Sequence, residues 1–145
     1  MELHNFISGN KQRLGLVSLD APLISNLAIW SNIALIRQYH QNMPRSKAKA
    51  LAEDLLRRTG MESISGKRNS ALTDEERFCA MIFRAAMVRD AVLVLDRPFN
   101  ILTNMRDGVF IIETLQKIDD LIAEIHIFDY SWAESYYGGA DGAEN

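Results

Sequence analysis

The sequence predicts an α/β domain built on a small parallel sheet, with a helical portion between its first two strands. Three observations carry that expectation. Short aliphatic runs alternate with longer segments of helical periodicity. The segments between runs are long enough for the crossovers that parallel strands require. The 145 residues are 48% hydrophobic and 24% charged, proportions that suit one globular domain over residues 1–145 with a buried core.

The elements follow in order. Residues 14–19, "LGLVSL", form an aliphatic run bounded by "NKQR" and "DAP", which suits a buried strand. Leu27, Trp30, Ile33, Ala34 and Ile36 then mark one apolar face of a helix over 27–39. Ala48, Leu51, Ala52, Leu55 and Leu56 mark another over 44–59, opened by Pro44 and stopped by Gly60, which enters the left-handed region at little cost. Residues 61–71, "MESISGKRNSA", are rich in turn formers and read as a loop. Thr73 stands three residues before Glu76, a capping-box spacing that predicts a helix start. The helical portion thus spans 27–88. Residues 91–96 are too short and too β-branched for a helix and read as a fully buried strand. A helix over 104–117 and a strand over 123–128 complete the pattern, and the polar tail 136–145 is expected to fray.

Composition excludes several functions. The net charge of −3 is spread over interspersed acids and bases, so no field recruits nucleic acid or anionic lipid. Cys79 is the single cysteine, which rules out an internal disulfide and fits a reducing cytoplasm. No Cys/His spacing suits zinc, and no metal site is expected. No apolar run approaches the ~18 residues of a membrane helix, so the chain is not expected to insert in a bilayer itself.

The most informative stretch is "SALTDEERFCAMIFRAAMVRDAVLVLDRPFNIL", residues 70–102. Together with "GLVSLDAPLISNLAIWSNIAL" upstream, it resembles the ATPase subunit of ABC transporters over residues 14–132, beginning after that family's phosphate-binding loop. The resemblance implies a truncated, P-loop NTPase-like fold. It also sets positions at which nucleotide chemistry can be checked residue by residue.

Those positions are altered. The family's phosphate loop has the form GxxxxGK[ST], whose backbone amides and lysine cradle phosphates, and no such run occurs in these residues. Asp96 matches the Walker B aspartate that helps hold Mg²⁺. The following position, a catalytic glutamate in the family, is Arg97, a permanent cation that cannot accept a proton. At the signature loop Leu72 and Thr73 match, but Asp74 and Glu75 replace two glycines. One such charge ~4 Å from a phosphate oxygen costs roughly 4 kcal/mol at an effective dielectric of ~20. The glutamine of the Q-loop aligns with Leu19, the D-loop aspartate with Thr103, and the switch histidine with Phe128; His126 lies two residues too early. The nucleotide-binding residues that remain are therefore Leu72, Thr73 and Asp96, regarded as vestigial, and no catalytic residue is expected.

The expectation is a non-catalytic, ABC ATPase-like interaction or regulatory module in the cytoplasm, peripheral to the inner membrane face if it joins a transporter. It would take no cofactor. The alternative is an ATP-binding subunit, using ATP and Mg²⁺, whose Walker A half is supplied by another chain or lies outside these residues. By resemblance, residues 20–30 would receive a membrane subunit's coupling helix, with Pro22, Leu23 and Ile24 as contacts and Leu27 and Trp30 behind them. Protein partners are expected: a second copy, an ABC ATPase, or a transporter membrane subunit. Without the phosphate-loop strand one sheet edge would be bare, to be covered by residues 3–7 or by another chain.

Overall fold

The computed structural model describes residues 13–105 and 107–130. The segment 3–7 and the tail 136–145 lie outside the described residues. The strands are β1 (Leu14–Val17), β2 (Ala91–Asp96) and β3 (Ile122–Phe128), in the order β1-β2-β3 and parallel throughout. Three helices fill the first crossover: α1 (Ile29–His40), α2 (Arg45–Arg58) and α3 (Asp74–Ala86). A fourth, α4 (Val109–Gln116), lies between β2 and β3.

Each strand forms for a different local reason. All six residues of β2 are buried, as expected of the middle strand of a parallel sheet. β1 ends at Val17 rather than at Leu19, because the Ser18 hydroxyl accepts from the Asp20 amide and the Ser18 carbonyl from the Ala21 amide, closing a turn. Gly15 is required where it stands. A Cβ there would lie 2.5 Å from the Ala85 carbonyl oxygen and 2.9 Å from the Ala85 Cβ, so β1 and α3 approach backbone to backbone.

The helices stack on this sheet in a fixed order. α3 is the central one, burying Phe78 through Phe83 together with Ala85 and Ala86, and it contacts β1, β2 and α1. α2 packs on α1 through Ala48, Ala52, Leu55 and Leu56, the face its periodicity marks. Its end is the motif that Gly60 implies: Gly60 takes φ +76°, the Met61 amide donates to the Leu56 carbonyl at 2.7 Å, and the Gly60 amide donates to the Arg57 carbonyl at 3.1 Å. The capping box on α3 is present in both directions, Glu76 amide to Thr73 Oγ1 at 3.1 Å and Thr73 amide to Glu76 Oε1 at 3.0 Å.

Two connecting segments differ from the sequence reading, and the other element ends shift by no more than two residues. Residues 61–71 contain two short 3₁₀ turns, Glu62–Ile64 and Asn69–Ala71. The fourth helix starts at Val109 instead of 104, since the Asp107 carboxylate accepts from the Val109 amide and fixes the entry there. Cys79 is buried in α3, and burial pushes its thiol up from 9.0 to about 11. The thiolate is thus favoured more in the unfolded chain, so stability should fall as pH rises from about 9 towards 11. Iodoacetamide at about pH 8 should label Cys79 slowly in the native protein and completely in denaturant; fast native labelling would contradict this burial.

Candidate functional site

The C-terminal ends of the three strands bring the Walker B-like position together with its neighbours. Parallel pairing sets Val17 beside Leu95 and Asp96 beside Phe128, so the residue after β1, Ser18, arrives at Asp96. The Asp96 side chain is 6% exposed and its oxygens are committed. Oδ2 accepts from Ser18 Oγ at 2.8 Å and from Arg97 Nη2 at 3.1 Å, while Oδ1 accepts from Arg97 Nε at 2.9 Å. The Arg97 fork therefore closes on its own neighbour in sequence. It can do so because Arg97 adopts left-handed backbone angles, φ 47° and ψ 61°, a conformation that costs a non-glycine residue about 1 kcal/mol.

Hydrogen bonds to Asp96, and next to Tyr130, raise the ionisation of Arg97 above its ordinary value, so it stays charged throughout the range in which proteins fold. Asp20 lies 4.0 Å away on its outer side. Phe128, at the switch position, contributes its carbonyl, which accepts from the Arg97 amide at 2.7 Å. Its ring can carry no proton. His126 pairs instead with Glu124 at 3.0 Å, two residues earlier on β3. The donor set does not fit Mg²⁺: the Asp96 carboxylate is already bridged by a guanidinium, and a divalent cation would have to displace that cation. No group of three or more His, Cys, Asp or Glu side chains among the described residues could hold a metal ion.

The signature-loop position is closed by a second set of contacts. Asp74 Oδ1 accepts from Arg77 Nη1 at 3.0 Å, and Asp74 Oδ2 accepts from Thr103 Oγ1 at 2.7 Å. Arg77 also holds Asn69 through its side chain at 2.7 Å and through its carbonyl at 3.1 Å, and it reaches the Leu72 carbonyl at 3.1 Å. Leu72 is buried and Thr73 is occupied by the capping box. The first turn of α3 carries Asp74, Glu75 and Glu76, so the positive end of its dipole is answered from within the chain. Thr73 and Asp96 thus belong to two separately satisfied networks.

The segment expected to meet a partner is held rigidly. Asn32, fully buried in α1, accepts from the Ile24 amide at 2.7 Å and donates to the carbonyls of Ile24, Leu27 and Ala28 at 3.1 to 3.3 Å. From α3, Arg84 donates to the Pro22 carbonyl at 2.8 Å and to the Ala21 carbonyl. Pro22 and Ile24 face outward, and Leu19 beside them is 56% exposed. Leu23 is not available as a contact: its side chain joins the core at 4% exposure. Trp30 is also buried, with Arg45 and Lys49 at 4.8 Å and 5.2 Å over its ring. Asn32→Ala would leave the Ile24 amide without its acceptor and remove the side-chain bonds to three carbonyls, of which those of Ile24 and Ala28 keep backbone donors, and is expected to lower stability by about 1 to 3 kcal/mol in urea unfolding. A loss below ~0.5 kcal/mol would show that the loop is not held this way.

Sequence reasoning did not find Ser18, Tyr130, or the bridge from Asp74 to Thr103. Ser18 was within reach, because aligning the ends of β1 and β2 sets it at Asp96. The others depend on where loops return, which periodicity does not encode.

No protein-family model matches the sequence, and no curated protein matches it. Among solved structures the chain is similar to the dimeric structure of MJ0796, a bacterial ABC transporter cassette, with a TM-score of 0.61 and 15% identity over 91% of this chain. The fold, a small parallel sheet with a helical portion, is like that of part of an ABC ATPase cassette. The chain spans 59% of the length of that cassette. No described helix is long and apolar enough to cross a membrane.

Proposed function

We propose that the protein is a non-catalytic, ABC ATPase-like interaction module. The observation that carries this reading is the Arg97 fork on Asp96: the position that would activate water holds a cation, and that cation occupies the carboxylate that would serve a metal. The bridge from Asp74 to Thr103 supports it, since carboxylates stand where phosphate would have to approach. Nucleotide and Mg²⁺ have no role in this reading. With MgATP, phosphate release by the full chain should stay at background; turnover above background that scales with protein concentration would overturn the reading and favour an ATP-binding subunit.

The partner surface in this reading is the outward face of residues 19–24, with Leu19, Pro22 and Ile24 as contacts. A loop held by Asn32 and Arg84 is already ordered, so docking costs little conformational entropy. The dimeric cassette among similar structures supports association with a second copy, an ABC ATPase or a transporter membrane subunit, at the cytoplasmic face.

A further inference from the structure

A groove remote from the strand ends has the chemistry of a ligand site. It has a volume of about 440 Å³, within the ordinary range for small-molecule sites, and lies between α1, α2, the end of α3 and the approach to β3. Its apolar lining is Leu51, Leu55, Met87 and Leu121; Leu55 and Met87 are buried, and methionine adapts readily to an aliphatic chain. Its polar lining is Arg37, Arg57, Arg58 and Asp54.

The charges there do not balance. Arg57 pairs with Asp54 at 2.6 Å, and Arg58 pairs with Asp120 beyond the groove. Arg37 has no carboxylate: its Nε donates to the Met87 carbonyl at 2.7 Å and its Nη1 to the Gln41 amide oxygen at 3.5 Å. Arg89 adds a second positive charge nearby. Of the three arginines that line the groove, the half-buried Arg37 is therefore the one left for a monoanion, beside a strip of aliphatic carbon. A planar fork suits a carboxylate best, and the lining suits an unbranched tail.

We propose that this groove binds an aliphatic carboxylate of medium chain length, its head on Arg37 and its tail on Leu51, Leu55, Met87 and Leu121. Bound there, the ligand ties the helical portion to the sheet. The site shares no residue with the Asp96 network, so it stands or falls independently of the non-catalytic reading.

Calorimetric titration of the full chain with octanoate tests it, with acetate as head alone and octylammonium as tail with the opposite charge. Octanoate should bind one to one with a Kd below about 1 mM, weakening as salt rises. Acetate and octylammonium should bind at least ~10-fold more weakly, and Arg37→Met should lose ~10-fold for octanoate. Because Arg37 also holds the Met87 carbonyl, Leu51→Glu is the companion variant. It places a carboxylate in the groove without touching that bond, and it should abolish binding. No binding of octanoate, equal binding of octylammonium, or undiminished affinity in a folded variant would overturn the proposal.

Discussion

Gly15→Ala is expected to lower the free energy of unfolding by about 3 kcal/mol and the melting temperature by about 10 °C. The added Cβ meets a backbone oxygen at 2.5 Å, and backbone cannot swing aside as a flexible side chain would. To relieve the contact, β1 must separate from α3. That separation strains the pairing from Leu14↔Val92 to Val17↔Leu95 and withdraws Ser18 from Asp96. Thermal unfolding followed by circular dichroism measures the loss. A shift under 2 °C would mean that β1 and α3 lie farther apart than described.

The second large effect is expected at Arg97. Arg97→Glu would place two carboxylates side by side, one of them on the 6% exposed Asp96, and would remove two of the three hydrogen bonds to it. Breaking a buried pair costs about 3 to 5 kcal/mol; since the Arg97 side chain is 38% exposed, solvent screening reduces this to about 2. On the non-catalytic reading, phosphate release should remain at background in this variant, because a glutamate alone supplies neither phosphate-binding groups nor glycines in place of Asp74 and Glu75. Arg97→Gly separates the contributions. It loses the same fork but relieves the left-handed backbone, so it should cost about 1 kcal/mol less than Arg97→Glu. Equal losses in the two variants would show that carboxylate repulsion and backbone relief contribute nothing.

Much of the fold was legible because it rests on local rules. Gly60 ended α2 and Thr73 opened α3 by the backbone geometry their residue types favour. The aliphatic run of β2, short and β-branched, read as a strand covered on both faces, as it is. The limits of legibility are equally specific. β1 lost two residues to a turn governed by the Ser18 hydroxyl, and α4 starts later than periodicity suggests, after a local bond from the Val109 amide to the Asp107 carboxylate. At the candidate site, residue identities marked the positions that depart from the ABC ATPase pattern the sequence resembles. They did not show that Arg97 grips Asp96, which needs a left-handed backbone at Arg97, or that Asp74 reaches Thr103 across 29 positions. Leu23 is buried between two exposed neighbours, a distinction that hydrophobicity alone could not make.

The central claim is that a cassette-like scaffold stands here with its nucleotide-facing groups satisfied by one another. Isothermal titration of the full chain with MgATP addresses it most directly. The account predicts no saturable heat up to about 1 mM nucleotide, and no change when Mg²⁺ is withheld. A magnesium-dependent, one-to-one isotherm with a Kd below ~50 µM that weakens on Asp96→Asn would contradict it.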